Sequence, residues 1–119
     1  MEAFFRDFNA IAPPVGRGDH AFRPGGGEVL GFIQIVPARG RRIQIHRFWT
    51  RSHGKGHGRA MLKALCELAD RHGVELQLKA LPIGRKPYPM SRDQLFEWYQ
   101  RYGFEGTKRK LVRKPISPA

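Results

Sequence analysis

The chain has 119 residues, enough for one small folded domain and too few for a second hydrophobic core. Its 40% hydrophobic residues, with eight Phe, three Tyr and two Trp, exclude a disordered composition, while no run of about 18 apolar residues offers a membrane span and no apolar stretch near Met1 reads as a signal peptide. Lys and Arg number 22 against 10 Asp and Glu, a net charge of +12 that predicts an anionic partner, and the single Cys66 excludes an internal disulfide and makes a cytosolic location the default.

Phe4, Phe5, Phe8 and Ile11 recur at helical spacing, which predicts a short helix over residues 2 to 11, stopped by Pro13-Pro14. Val15 to Asp19 reads as loop. His20 to Arg23 reads as a short strand, joined through Pro24-Gly25-Gly26-Gly27 to a clear strand from Glu28 to Val36. Pro37-Ala38-Arg39-Gly40 then turn the chain into a strand from Arg42 to Trp49. In it Ile43, Ile45 and Trp49 alternate with Gln44, His46 and Phe48, and Arg47 falls on the first face. These strands predict an antiparallel meander.

From about His57 to His72 the period becomes helical. Met61, Ala64, Leu65, Leu68 and Ala69 form one apolar stripe, and Gly73 suits the position just past the end. Val74, Leu76, Leu78 and Ala80 alternate with Glu75, Gln77 and Lys79 as a strand. Leu81 to Met90 form a loop with three prolines. Ser91 and Gln94 make a capping box for a second helix whose Leu95, Trp98, Tyr99 and Tyr102 share a face. Gly103 ends it, Phe104 to Val112 form a last strand region, and Pro115 and Pro118 mark a loose tail.

A Gly-rich turn, His53-Gly54-Lys55-Gly56-His57-Gly58-Arg59, runs straight into the first of these long helices. Glycines allow close backbone approach to a pyrophosphate, and the first-turn N–H groups of a helix are free to point at the anion. The ATP-type loop, Gly-x-x-x-x-Gly-Lys before Ser or Thr, does not occur, and neither does the dinucleotide pattern Gly-x-Gly-x-x-Gly. The turn, a helix, a strand ending near Ala80 and a second helix closing in Tyr99-Gln100-Arg101-Tyr102-Gly103-Phe104 follow one another in an order that resembles the GNAT superfamily of acyl-CoA-dependent N-acyltransferases. That family's loop reads Gln or Arg, two residues, Gly, any residue, Gly or Ala, and its late helix ends in Tyr-x-x-x-Gly-Phe. Arg51 to Gly56 satisfy the loop pattern literally, while a register with His53 in the first place makes Gly58-Arg59-Ala60-Met61-Leu62 the better helix start. The resemblance covers roughly residues 28 to 105.

It implies an α+β fold, a GNAT-like mixed, mostly antiparallel central sheet flanked by helices in the order α-β-β-β-α-β-α-β, as one domain over residues 1–119. Residues 1–27 would be a variable N-terminal part, 28–113 the core and 114–119 the tail. The family's N-terminal strand and helix pair are shortened, which leaves the acceptor cleft open or completed by a second subunit of a homodimer. The strand ends near Trp49 and Ala80 would receive a pantetheine arm, with the backbone of Phe48, Trp49 and Thr50 binding it, and His53, Gly54, Lys55, Gly56, His57, Gly58 and Arg59 would hold the pyrophosphate of acetyl-CoA. The family's Val-x-Pro near that strand end is replaced by Phe48-Trp49-Thr50. Tyr99, the tyrosine of the late signature, would be the general acid for the leaving thiolate, the alternative being a plain core aromatic. His46 carries an imidazole, the side-chain type suited to removing an amine proton near neutral pH, with Glu28 or water as alternatives. His53 and His57 stand four apart without a third ligand nearby, so no metal is expected, and Cys66 lacks an adjacent base.

The expected activity is transfer of an acetyl group from acetyl-CoA directly to a primary amine. The charge favours an amine carried on an acidic macromolecule, nucleic acid or protein. The competing expectation is a basic nucleic-acid-binding or CoA-sensing module without turnover, in which Arg39, Arg41, Arg42, Arg85, Lys86 and the run from Lys108 to Lys114 supply charge.

Overall fold

The computed structural model describes residues 1–23, 26–50, 56–80 and 90–116. Helix α1 (Glu2–Ile11) buries Phe4 and Phe8, one turn apart, with their rings stacked at 6.0 Å. Strands β1 (Pro14–Gly16) and β2 (Asp19–Phe22) follow as a tight hairpin, its two turn residues Arg17 and Gly18 both at positive φ, 55° and 80°. The loop expected from Val15 to Asp19 is therefore mostly strand and turn. A three-residue strand is too short to leave a periodic signal.

Strand β3 (Gly31–Ala38) pairs antiparallel with β2 and with β4 (Arg42–Thr50), so the meander is as expected. Helix α2 (His57–His72) then carries the chain back, and its crossover makes β5 (Glu75–Leu78) parallel to β4. Gly73 ends α2 at φ 65°, and the Arg41 guanidinium donates to the carbonyls of His72 and Gly73 at that end. Helix α3 (Arg92–Gln100) begins in the expected capping box of Ser91 and Gln94. The last strand region is two strands, β6 (Glu105–Thr107) and β7 (Lys110–Arg113), joined by a hairpin at Lys108-Arg109.

The result is α+β, a seven-stranded sheet in the order β1-β2-β3-β4-β5-β7-β6 whose pairs are antiparallel except β4 with β5. Ile33, Ile35, Ile43, Ile45, Leu76, Leu78 and Leu111 turn to one side and form a single core with Phe4 and Phe8 of α1, Met61, Leu62, Leu65 and Leu68 of α2, and Tyr99 of α3. Among the described residues all three helices therefore lie on one face, and the other face of the sheet carries half-buried and exposed side chains apart from the buried Ala21. No helix among them is long and apolar enough to cross a membrane.

One irregularity matters for the site. Ile35 pairs with Ile45 but Gln34 pairs with Arg47, so His46 is an extra residue in β4, a β-bulge. Past it the side-chain alternation flips. Phe48 sits opposite Ile33 on the helix side, and Trp49 sits opposite Phe32 on the outer side. The expected grouping of Trp49 with Ile43 and Ile45 is thus corrected, because one inserted residue exchanges the faces of everything beyond it.

Candidate functional site

The parallel pairing of β4 with β5 stops at Ile45 and Leu78, whereas β4 continues to Thr50. Beyond Ile45, β4 keeps its partner β3 on one edge, and among the described residues no strand bonds to its other edge. Peptide groups on such an edge are a ready set of donors and acceptors for an extended ligand. Phe48, Trp49 and Thr50, expected at the pantetheine arm, lie on this stretch.

The start of α2 closes one end of the opening. Gly56 is its N-cap, at φ 74° and ψ 12°, with no side-chain cap and no acidic residue in the first turn. Nothing lies within 4 Å of where a Cβ on Gly56 would sit, so this glycine answers a backbone requirement and leaves space in front of the helix. His57 has its Nδ1 buried and without a hydrogen-bond partner. That orphaned atom, the first-turn N–H groups and the exposed Arg59 fit a phosphate-bearing ligand. Gly58 faces inward, where a Cβ would lie 3.5 Å from Thr50 Cγ2 and 3.6 Å from the Trp98 ring. The expected ligand positions His53, Gly54 and Lys55 lie outside the described residues.

Helix α3 brings the aromatic groups. The Trp98 ring stands 6.3 Å from that of Phe48, so the end of β4, the start of α2 and α3 meet around Trp98. Tyr99 is buried, its ring 5.2 Å from Trp98 and 5.6 Å from Phe104. Burial raises the Tyr99 phenol well above its ordinary value, so it keeps its proton throughout the working range, the state a general acid requires. On the solvent side of α3, Met90, Gln94, Glu97, Trp98 and Arg101 line a depression of about 270 Å³.

The structure does not bring His46 to Tyr99. His46 is exposed, and its Nε2 donates to Gln44 Oε1 at 3.2 Å on the outer face, whereas Tyr99 belongs to the helix-side core. Glu28 is exposed in the segment before β3. Cys66 is buried, which pushes its thiol up to about 11 and removes it as a nucleophile at neutral pH.

Two residues that shape the site went unmarked in the sequence reading. Gly31 lies opposite Thr50, where a Cβ would come within 2.4 Å of the Trp49 carbonyl oxygen and 2.7 Å of Met61 Sδ; a glycine inside a strand pattern is the signal that was available. Trp98 read as an ordinary core aromatic, and its place against Gly58 depends on contacts between elements that no local pattern encodes.

Comparisons with known proteins bear on this geometry. The family model for the acetyltransferase (GNAT) family matches residues 8–104. No curated protein sequence matches the chain. Among solved structures, Ard1 from Thermoplasma volcanium is 18% identical with a TM-score of 0.60, over 98% of this chain and 81% of that one. The anti-CRISPR protein AcrVA5 is 19% identical with a TM-score of 0.56, over 70% and 88%. YhhK from E. coli, solved bound to coenzyme A, is 11% identical with a TM-score of 0.53, over 96% and 91%. These likenesses establish the fold. The chain belongs to the GNAT acetyltransferase family, and acyl transfer from an acyl-CoA is the activity that membership implies.

Proposed function

We propose that this GNAT-family chain transfers an acetyl group from acetyl-CoA directly to a primary amine. The observation that carries the reading is the edge of β4 beyond Ile45, which has no strand partner among the described residues, with the glycine-capped N-terminus of α2 at one end of it and the buried phenol of Tyr99 on the helix packed against it. The Gly56 turn and the first-turn N–H groups of α2 hold the pyrophosphate, helped by His57 and Arg59. The peptide groups of Phe48, Trp49 and Thr50 align the arm and polarise the carbonyl. Acetyl-CoA bound there supplies the acyl group and a thiolate leaving group. Tyr99 gives its proton to that thiolate, and water takes one from the amine.

The net charge of +12 favours an amine displayed on an acidic macromolecule and disfavours a free polycation. A cytosolic site of action and a second subunit at the acceptor cleft belong to the same reading. The test is release of free thiol from acetyl-CoA across a panel of amines on RNA, acidic proteins and small molecules, with wild type and Tyr99→Phe. Expected is an amine-dependent release that falls about 100-fold in the variant, while acetyl-CoA affinity changes less than about twofold. Binding without release for every amine would instead make the protein a CoA sensor.

A further inference from the structure

The outer face of the sheet, which the acyl-transfer reading leaves unused, carries an aromatic platform. Phe32 lies directly across from Trp49 with the rings stacked at 5.3 Å, and the Arg47 guanidinium carbon is 4.9 Å from the centre of the Trp49 ring. The bulge at His46 puts Arg47 and Trp49 on this side together. Further along the strands Gln44 and Gln77 are register partners on β4 and β5. Gln44 uses its carbonyl oxygen for His46 and Gln77 one N–H for Glu75, which leaves the Gln44 N–H groups and the Gln77 carbonyl to other partners.

Arg42 pairs with Glu75 at 3.2 Å, so that carboxylate is already offset, and Glu105 lies away on β6, opposite Val112. The core of a protein–protein interface is apolar and poor in charge, but the aliphatic residues registered on this face, Ala21, Val36, Ala38 and Val112, are dispersed among amides and charged side chains. Stacked aromatics, a guanidinium over the outer ring and free amide groups further along the same strands match the chemistry of unpaired nucleotides. The net +12 supplies the attraction for its phosphates.

We propose that this face binds single-stranded RNA, with a base taking the face of Trp49 that the Arg47 guanidinium covers, Arg47 moving to the adjoining phosphate, and the Gln44 and Gln77 amides, further along β4 and β5, on the base edge and 2′-hydroxyl of a following nucleotide, which like them both donate and accept. The surface is independent of acyl transfer, and its test uses no CoA.

Fluorescence anisotropy of a labelled, unstructured RNA of about twelve nucleotides is measured against salt for wild type, Trp49→Leu, Arg47→Gln and, as a charge control on the exposed side of α2, Lys63→Gln. Expected are a loss of about tenfold or more in Trp49→Leu, a several-fold loss and a salt slope lower by about one in Arg47→Gln, and less than about a twofold change in Lys63→Gln. Should Trp49→Leu melt early, Trp98→Phe leaves Trp49 as the only indole, and its emission should be quenched as RNA saturates. Unchanged Trp49 emission at saturation, or equal losses in Arg47→Gln and Lys63→Gln, would overturn the proposal. Equal affinity for DNA of the same sequence, or for duplex RNA, would overturn the assignment to single-stranded RNA. Self-association without RNA binding would make the face a contact between copies.

Discussion

At Gly31 one missing methyl group sets how closely β3, the end of β4 and α2 approach. An added Cβ would press on the Trp49 carbonyl at 2.4 Å and on Met61 Sδ at 2.7 Å, and the backbone contact cannot yield as a side chain could. Gly31→Ala is therefore expected to cost about 3 kcal/mol in denaturant unfolding, and a loss below about 0.5 kcal/mol would mean that the strands part easily. Cys66 tests burial differently. With its thiol raised to about 11 by desolvation, native protein at pH 8 should react with a thiol reagent only as fast as it opens, and rapidly once unfolded; equal rates in both states would contradict the packing under α2. The Tyr99 phenol, raised by the same cause, should produce no alkaline loss of turnover up to its ordinary value of 10.0.

At the scale of elements, Arg113 ties the helix layer to the sheet. This buried guanidinium of β7 donates to both carboxylate oxygens of Asp70 near the end of α2, at 2.7 and 2.9 Å, and to the Tyr102 carbonyl after α3, while the Ile116 N–H also donates to Asp70. Arg113→Ala removes the counter-charge of Asp70, leaving it only the Ile116 N–H, and takes the guanidinium from the Tyr102 carbonyl, an expected loss of about 3 kcal/mol. The Arg113 bond holds the Asp70 carboxyl below its ordinary 3.8, so the pair contributes stability above that value and loses it as pH falls through the lower folded value. Acid unfolding of Asp70→Asn should accordingly be shallower in that window than wild type; an unchanged acid limb would count against the clamp. The long elements were legible because their signals are local: α2 spans His57 to His72 as its stripe and Gly73 indicate, and α3 starts at its capping box. The β4 bulge was not legible, since Arg47 on an apolar face hinted at a slip but only pairing with β3 shows which residue is extra.

Across the whole molecule, part of the basic excess has a structural use. Arg41 caps α2, Arg42 pairs with Glu75, Lys108 with Asp93 and Arg113 with Asp70, whereas Arg39, Arg109, Lys110 and Lys114 are exposed. The candidate site was legible where it depends on chain order, in the glycine turn before α2 and the tyrosine on α3. It was illegible where elements meet: nothing local places Trp98 against Gly58 or His46 on the face opposite Tyr99.

The central claim is that the N-terminus of α2 cradles the phosphates of an acyl-CoA, and calorimetric titration of acetyl-CoA into wild type, Gly56→Asn and Gly56→Asp tests it most directly. Asn and Asp both tolerate the left-handed backbone at φ 74° and differ by one charge, with open space around either side chain. Expected is micromolar binding to wild type, binding by Gly56→Asn weaker by less than about tenfold, and a further loss of about 100-fold or more in Gly56→Asp, with both variants melting alike. Equal affinity of Gly56→Asn and Gly56→Asp for acetyl-CoA would contradict it.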